Sequence, residues 1–140
     1  MTKFTVIAAV ISFMIFLPLN TVTSETMGDL VKRKGLYYKK YSNVPFTGNF
    51  TGFLQGSFKD GKREGYWVRY WDNGQLAYKG NFKNGLEEGA WVGYWNNGQL
   101  SYKGSYKNGN REGDWMDYNK DGTVNQKYSG TFKNGTKISE

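Results

Sequence analysis

The chain has neither cysteine nor histidine among its 140 residues. Without cysteine there is no disulfide, no zinc-thiolate site and no thiol nucleophile. Without histidine the commonest general base, metal ligand and pH switch are gone as well. Proline is scarce at 2 residues, and the 12 acidic side chains are outnumbered by 19 Lys and Arg, a formal net charge of +7. These cations stand singly rather than in one run, the pattern of a solvated basic surface. Such a surface attracts anionic partners in a salt-dependent way without naming lipid or nucleic acid. One long apolar run exists, Phe4 to Leu17, shorter than the ~20 residues that span a bilayer. Lys3 precedes it, and Pro18 and a small polar stretch from Asn20 to Ser24 follow. Residues 1–24 therefore read as a secretory signal helix, with Val22 and Ser24 placed for cleavage before Glu25. The alternatives are an uncleaved anchor and a buried helix. Export to the periplasm, the cell envelope or the medium is the expected localisation.

What is present in quantity is aromatic and glycine residues: 11 Tyr, 9 Phe, 5 Trp and 19 Gly. They are periodic. The 24 residues from Gly56 to Lys79, GSFKDGKREGYWVRYWDNGQLAYK, return from Gly80 as GNFKNGLEEGAWVGYWNNGQLSYK and from Gly104 as GSYKNGNREGDWMDYNKDGT. Trp67, Trp91 and Trp115 keep the same step, as do Glu64, Glu88 and Glu112. Recurrence at one fixed spacing is the mark of a repeat architecture. The units are 56–79, 80–103 and 104–129, with a terminal half repeat at 130–140. Before them, Phe46 to Phe50 and Leu54 to Phe58 echo Tyr78 to Phe82 at a shorter interval. The stretch 46–55 thus reads as a cap, as terminal repeats lacking one neighbour tend to be. Residues 25–45 read as a linker, with 27–34 either a helical turn or linker, and Leu36 to Tyr41 an edge strand ended by Pro45.

Within a unit, Asp72-Asn73-Gly74-Gln75 signals a hairpin, because Asn-Gly supplies the positive φ angles of a two-residue type I′ turn. The spacing Gly61 to Gly65, Gly85 to Gly89 and Gly109 to Gly113 suggests a longer loop at the second reversal. The expected fold is an all-β, elongated, single-layer antiparallel meander of stacked hairpins. A two-residue loop at Asn73-Gly74 places Trp71 opposite Leu76, Arg69 opposite Tyr78 and Trp67 opposite Gly80, so that the indole covers the residue lacking a side chain. Trp91 then meets Gly104. Side chains alternate across a strand, so Trp67, Gly80, Trp91, Gly104 and Trp115 share a structural face with Phe82, Tyr106, Tyr128 and Phe132. The other face carries Tyr70, Lys79, Lys83, Tyr94, Lys103 and Lys107, the candidate binding residues.

The run Tyr78-Lys-Gly80-Asn-Phe82-Lys-Asn-Gly85-Leu-Glu-Glu-Gly89-Ala-Trp91 resembles the MORN repeat (membrane occupation and recognition nexus). Tyr94-Trp-Asn-Asn-Gly98-Gln-Leu100 is similar to its bacterial variant, found in proteins labelled antitoxin components of toxin-antitoxin systems. Gly35-Leu-Tyr-Tyr38 and Pro45-Phe-Thr-Gly48 are similar to the start of such proteins. The resemblance covers residues 35 to 136 and implies stacked hairpins acting as scaffold, dimerisation module or binder of acidic phospholipids.

Catalysis finds little footing. Glu64, Glu87, Glu88 and Glu112 would suit glycosidase chemistry only if two were held ~5–9 Å apart, and the recurrence of three of them suggests that they bond loop amides instead. No enzyme activity and no cofactor is expected. The expected partner is a protein or an anionic envelope or membrane surface, with self-association through sheet edges and no nucleic acid. The main expectation is an exported scaffold. The alternatives are an antitoxin-like partner neutralising a toxin and a carbohydrate-binding module that stacks sugars on exposed Trp and Tyr.

Overall fold

The computed structural model describes residues 25–139. The stretch 1–24, read above as a signal helix, lies outside them. Among the described residues there is no α-helix, only a 3-10 turn at Met27–Asp29. Nine antiparallel strands follow the chain order across one sheet. They are β3 (Gly48–Phe50), β4 (Leu54–Lys59), β5 (Lys62–Tyr70), β6 (Leu76–Lys83), β7 (Leu86–Tyr94), β8 (Leu100–Lys107), β9 (Asn110–Asp117), β10 (Gly130–Lys133) and β11 (Thr136–Ser139). At ~4.8 Å between neighbouring strands, the repeat advances ~10 Å per unit. The expected meander is present.

The start of the chain differs from the expected linker and lone edge strand. Residues β1 (Leu30–Arg33) and β2 (Leu36–Lys39) form a hairpin of their own, a separate two-stranded sheet. Its Leu30 is buried in the aromatic core, and Tyr37 packs there too. This hairpin covers the end of the core that the first unit would otherwise leave to water.

The two kinds of turn are exchanged relative to the sequence reading. Asn84 and Gly85 have φ of 53° and 87°, and Lys83 pairs directly with Leu86, so this reversal is the two-residue type I′ turn. Asp60-Gly61, Asn108-Gly109 and Asn134-Gly135 repeat it. At the other end, the Gly74 amide donates to the Trp71 carbonyl and the Trp71 amide to the Gln75 carbonyl. Gly74 has φ of 80° while Asn73 stays out of the left-handed region. This is a three-residue loop, a type I turn closed by a glycine bulge. Tyr70 rather than Trp71 pairs with Leu76, and a register shift after Arg69 restores the expected Arg69–Tyr78 and Trp67–Gly80 pairs.

The core is a file of rings on one face of the sheet. Trp67 is fully buried, Trp115 is 1% exposed and Trp91 6%. Trp67 meets Phe58 and Phe82 edge-on at 5.1 and 5.8 Å, and Trp91 meets Phe82 and Tyr106 at 5.1 and 5.9 Å. Tyr106 passes the contact on to Trp115 at 4.8 Å. Such edge-to-face pairs contribute ~0.5–1.5 kcal/mol each beyond burial.

Trp67 and Trp91 cover different glycines from those expected. A Cβ on Gly80 would stand 2.2 Å from the ring of Trp91, not of Trp67. Likewise Trp67 lies on Gly56 and Trp115 on Gly104. These three tryptophans lean back over the preceding strand. The reason is a bulge: register shifts between Lys79 and Asn81 and between Lys103 and Ser105 interrupt the ladder. An interrupted ladder leaves backbone groups unpaired, and the indole N–H groups of Trp91 and Trp115 donate to the carbonyls of Asn81 and Ser105 at 3.1 and 2.9 Å.

The two-residue insertion after Val124 also acts differently from expectation. Gly130 pairs with Trp115 as Gly104 does with Trp91, so the alternation is kept. Tyr128, however, sits in a turn held by the Asn125 carbonyl and is 50% exposed. It does not join the Trp file; Phe132 does, beneath Arg111.

Candidate binding face

Both ends of the hairpins are tied from one unit to the next. The carboxylate of Glu64 accepts the Asn84 amide at 2.9 Å, Glu88 that of Asn108 at 2.9 Å, and Glu112 that of Asn134 at 2.8 Å. These three glutamates bond loop amides. At the opposite end the indole N–H of Trp71 reaches the Tyr94 carbonyl and that of Trp95 the Tyr118 carbonyl, both at 3.0 Å. Asn73 and Asn97 donate to Asn96 and Lys120 in the same way. The sheet face between these two tied rims is therefore a rigid platform.

On that outer face, Lys79 lies between Val68 and Val92 of the flanking strands, and Lys103 between Val92 and Met116. The result is a band in which ammonium groups alternate with apolar residues. A shallow groove of about 340 Å³ runs beside Lys79, lined by Tyr66, Asn81, Ala90 and Val92. Lys83 and Lys107 stand at the last position before a type I′ turn, and Lys59 and Lys133 occupy the same position in the outer units. Successive members of this row are two strands apart, ~10 Å. All six lysines are exposed. Among the described residues the ion pairs are Lys39–Glu25 and Arg111–Asp117, and neither involves this face.

The face thus brings Lys79, Lys83, Lys103 and Lys107 together as expected, and extends the row to Lys59 and Lys133. The two added lysines carry the same sequence signal, since each precedes an Asp-Gly or Asn-Gly pair as Lys83 does. Tyr70 and Tyr94 are half-buried at the three-residue-loop end, away from the turn-side lysines. Tyr66 is the more open ring, at 54% exposure.

On the opposite face the three core indoles are closed off, while Trp71 and Trp95 at the loop end are half-buried. With Trp67, Trp91 and Trp115 sealed, sugar stacking on those three rings has no room. Burial, and the neighbouring tyrosines after it, pushes the Tyr102 hydroxyl far above its ordinary value, and burial raises Tyr106 too. On the surface, hydrogen bonds from Thr123 hold the Asp121 carboxyl below the usual range. No group of three or more acidic side chains is gathered to hold a metal ion among the described residues.

Strand, type I′ turn, strand with its inward Trp, three-residue loop: this unit has a counterpart among known families. Two stretches match the MORN repeat variant, residues 63–84 and 87–108. Each spans one three-residue loop with the strands on either side of it, and together they support the MORN-repeat family for this chain. MORN repeats are in general binding and scaffold modules, which is compatible with a non-catalytic role here. The match concerns the repeat itself and carries no toxin-antitoxin assignment. A comparison with curated proteins returned no match.

Proposed function

We propose that this chain is an exported, non-catalytic MORN-repeat scaffold whose outer face docks on an anionic surface of the cell envelope or on an acidic protein. The observation that carries the reading is the six-lysine array: regular, exposed, without internal ion pairs and laid on a platform fixed at both rims. A group that has no partner within the fold is free to find one outside it. Lysine is a strongly hydrated point charge on a flexible stem, suited to a diffuse anionic surface rather than to one shaped ligand. The Val and Met residues between the lysines add apolar contact once water is displaced. The absence of His and Cys from the sequence favours binding over catalysis. Export rests on the sequence of residues 1–24.

Two measurements test the reading. The purified protein is sedimented with vesicles containing an anionic phospholipid, and with cell-wall material, at low and at high salt. Binding that fades as salt shortens the Debye length to a few Å supports it; salt-insensitive binding, or none at low salt, contradicts it. Fractionation of cells carrying C-terminally tagged protein then decides export, and a purely cytoplasmic pool overturns that part.

A further inference from the structure

The inner face carries a second site, visible only by comparing the repeats. Arg63 of the first unit and Arg111 of the third occupy equivalent positions, each with its guanidinium over the unit's tryptophan, at 5.0 and 4.2 Å. Arg111 is neutralised: Asp117 takes two hydrogen bonds from it at 2.8 and 3.1 Å. The residue of the first unit equivalent to Asp117 is Arg69. Where the third unit has a cation and its anion, the first has two cations. The middle unit has Glu87 and Gly93 at these places, and the ring of Tyr102 closes onto Gly93.

Arg63 and Arg69 both line a cavity of about 530 Å³, with Tyr78, Phe50, Phe53, Leu54, Thr26 and Met27 as neighbours. This lies within the ~300–1,000 Å³ of small-molecule sites. No carboxylate lines it. Glu25, next in the chain to Thr26, is paired with Lys39, and Glu64 is committed to the Asn84 amide. The Nε of Arg63 is buried with no hydrogen-bond partner, a state that costs ~1–3 kcal/mol when unrelieved. Rings of Tyr37, Trp67 and Phe82 stand within 6 Å of its guanidinium.

We propose that this cavity binds an amphiphilic organic anion, its carboxylate or phosphate held between Arg63 and Arg69 and its apolar body lying among Met27, Phe50, Phe53 and Leu54. The planar guanidinium fork matches either head group in a two-pronged bond. The apolar walls exclude simple inorganic anions as the best occupants, because such ions leave those walls uncovered.

The test is calorimetric titration of the purified protein with octanoate and octyl phosphate, against octanol and octylamine. At least one of the two anions is expected to bind at one equivalent, and octanol at least ~10-fold more weakly, a difference of about 1.4 kcal/mol. Arg69→Asp places a carboxylate where the third unit has Asp117, and is expected to weaken anion binding ~10-fold or more with an unchanged or higher melting temperature. Arg63→Gln weakens it as well; should that variant fail to fold, Arg69→Asp carries the test. Changing Lys79, Lys83, Lys103 and Lys107 to Glu leaves the affinity in place, which separates this site from the outer face. Octanol binding as tightly as octanoate, an Arg69→Asp variant of undiminished affinity, or no binding of either anion overturns the proposal.

Discussion

The two faces of the sheet are built from the same strands by opposite rules. On the inner face the repeated tryptophans are each answered by another part of the chain: Trp67 by Gly56, Trp91 by Gly80, Trp115 by Gly104, with Phe82 and Tyr106 between them. On the outer face Lys79 and Lys103 are answered by nothing charged. Alternation along a strand makes this division automatic, since residues two apart share a face and neighbours do not. The lesson is that a periodic residue is not thereby structural. The tryptophans and the lysines recur at one spacing, yet only the tryptophans find their partners inside the fold.

The sharpest way to break the inner rule is to remove a ring. Trp67→Ala empties the best-buried position and is expected to cost ~3–5 kcal/mol, read from denaturant midpoints. Next comes adding a methyl where there is no room. A Cβ at Gly80 would meet the Trp91 ring at 2.2 Å, so Gly80→Ala should cost about 3 kcal/mol and blue- or red-shift the tryptophan emission. Gly98→Ala meets only the side chain of Gln75, at 3.4 Å, and should crowd nothing, its cost confined to the strain of a positive φ. If Gly80→Ala is no worse than Gly98→Ala, the indole does not lie where described. Smaller again is the rim: Glu88→Ala removes the acceptor of the Asn108 amide, with an expected loss of about 1 kcal/mol.

The inner face also predicts a pH dependence. Tyr102 titrates above its ordinary 10.0 in the folded chain because burial penalises the phenolate. Its folded pKa exceeds its unfolded one, so the native state holds the proton longer than the unfolded state does. Stability from this group is complete below pH 10 and declines as the pH rises beyond it. Thermal melts at pH 9 and pH 11 should therefore diverge, and Tyr102→Phe should narrow the gap. An equal gap in that variant removes the assignment to Tyr102.

Much of this was legible in the residues. The period, the all-β meander and the structural use of Glu64, Glu88 and Glu112 followed from spacing, whereas the Trp67–Gly80 register holds because the shift after Arg69 offsets the longer loop. The glycine that each indole covers did not follow from spacing, because Trp91 has a glycine on both sides, Gly80 and Gly104, and counting cannot choose between them. The choice falls to the carbonyl of Asn81, beside the bulge, which is a feature of the folded ladder. The turn classes were misread for a related reason: Asn-Gly serves both a type I′ turn and a type I turn with a glycine bulge, and pairing with the neighbouring strand decides. The β1–β2 hairpin escaped notice because Lys34-Gly35 carries a weaker turn signal than Asn-Gly. Arg63 and Arg69 gave no sign of their cavity, since the contrast with Arg111 and Asp117 has meaning only once both pairs are seen to face the same way.

The smallest expected effect on stability belongs to the outer face, and it is also the decisive measurement. The variant with Lys79, Lys83, Lys103 and Lys107 all changed to Glu should stay within about 1 kcal/mol of the parent, as exposed surface substitutions do. Its sedimentation with anionic vesicles at low salt should be lost. A division of labour between the faces predicts that pair of results. Vesicle binding retained by a normally folded variant would contradict it.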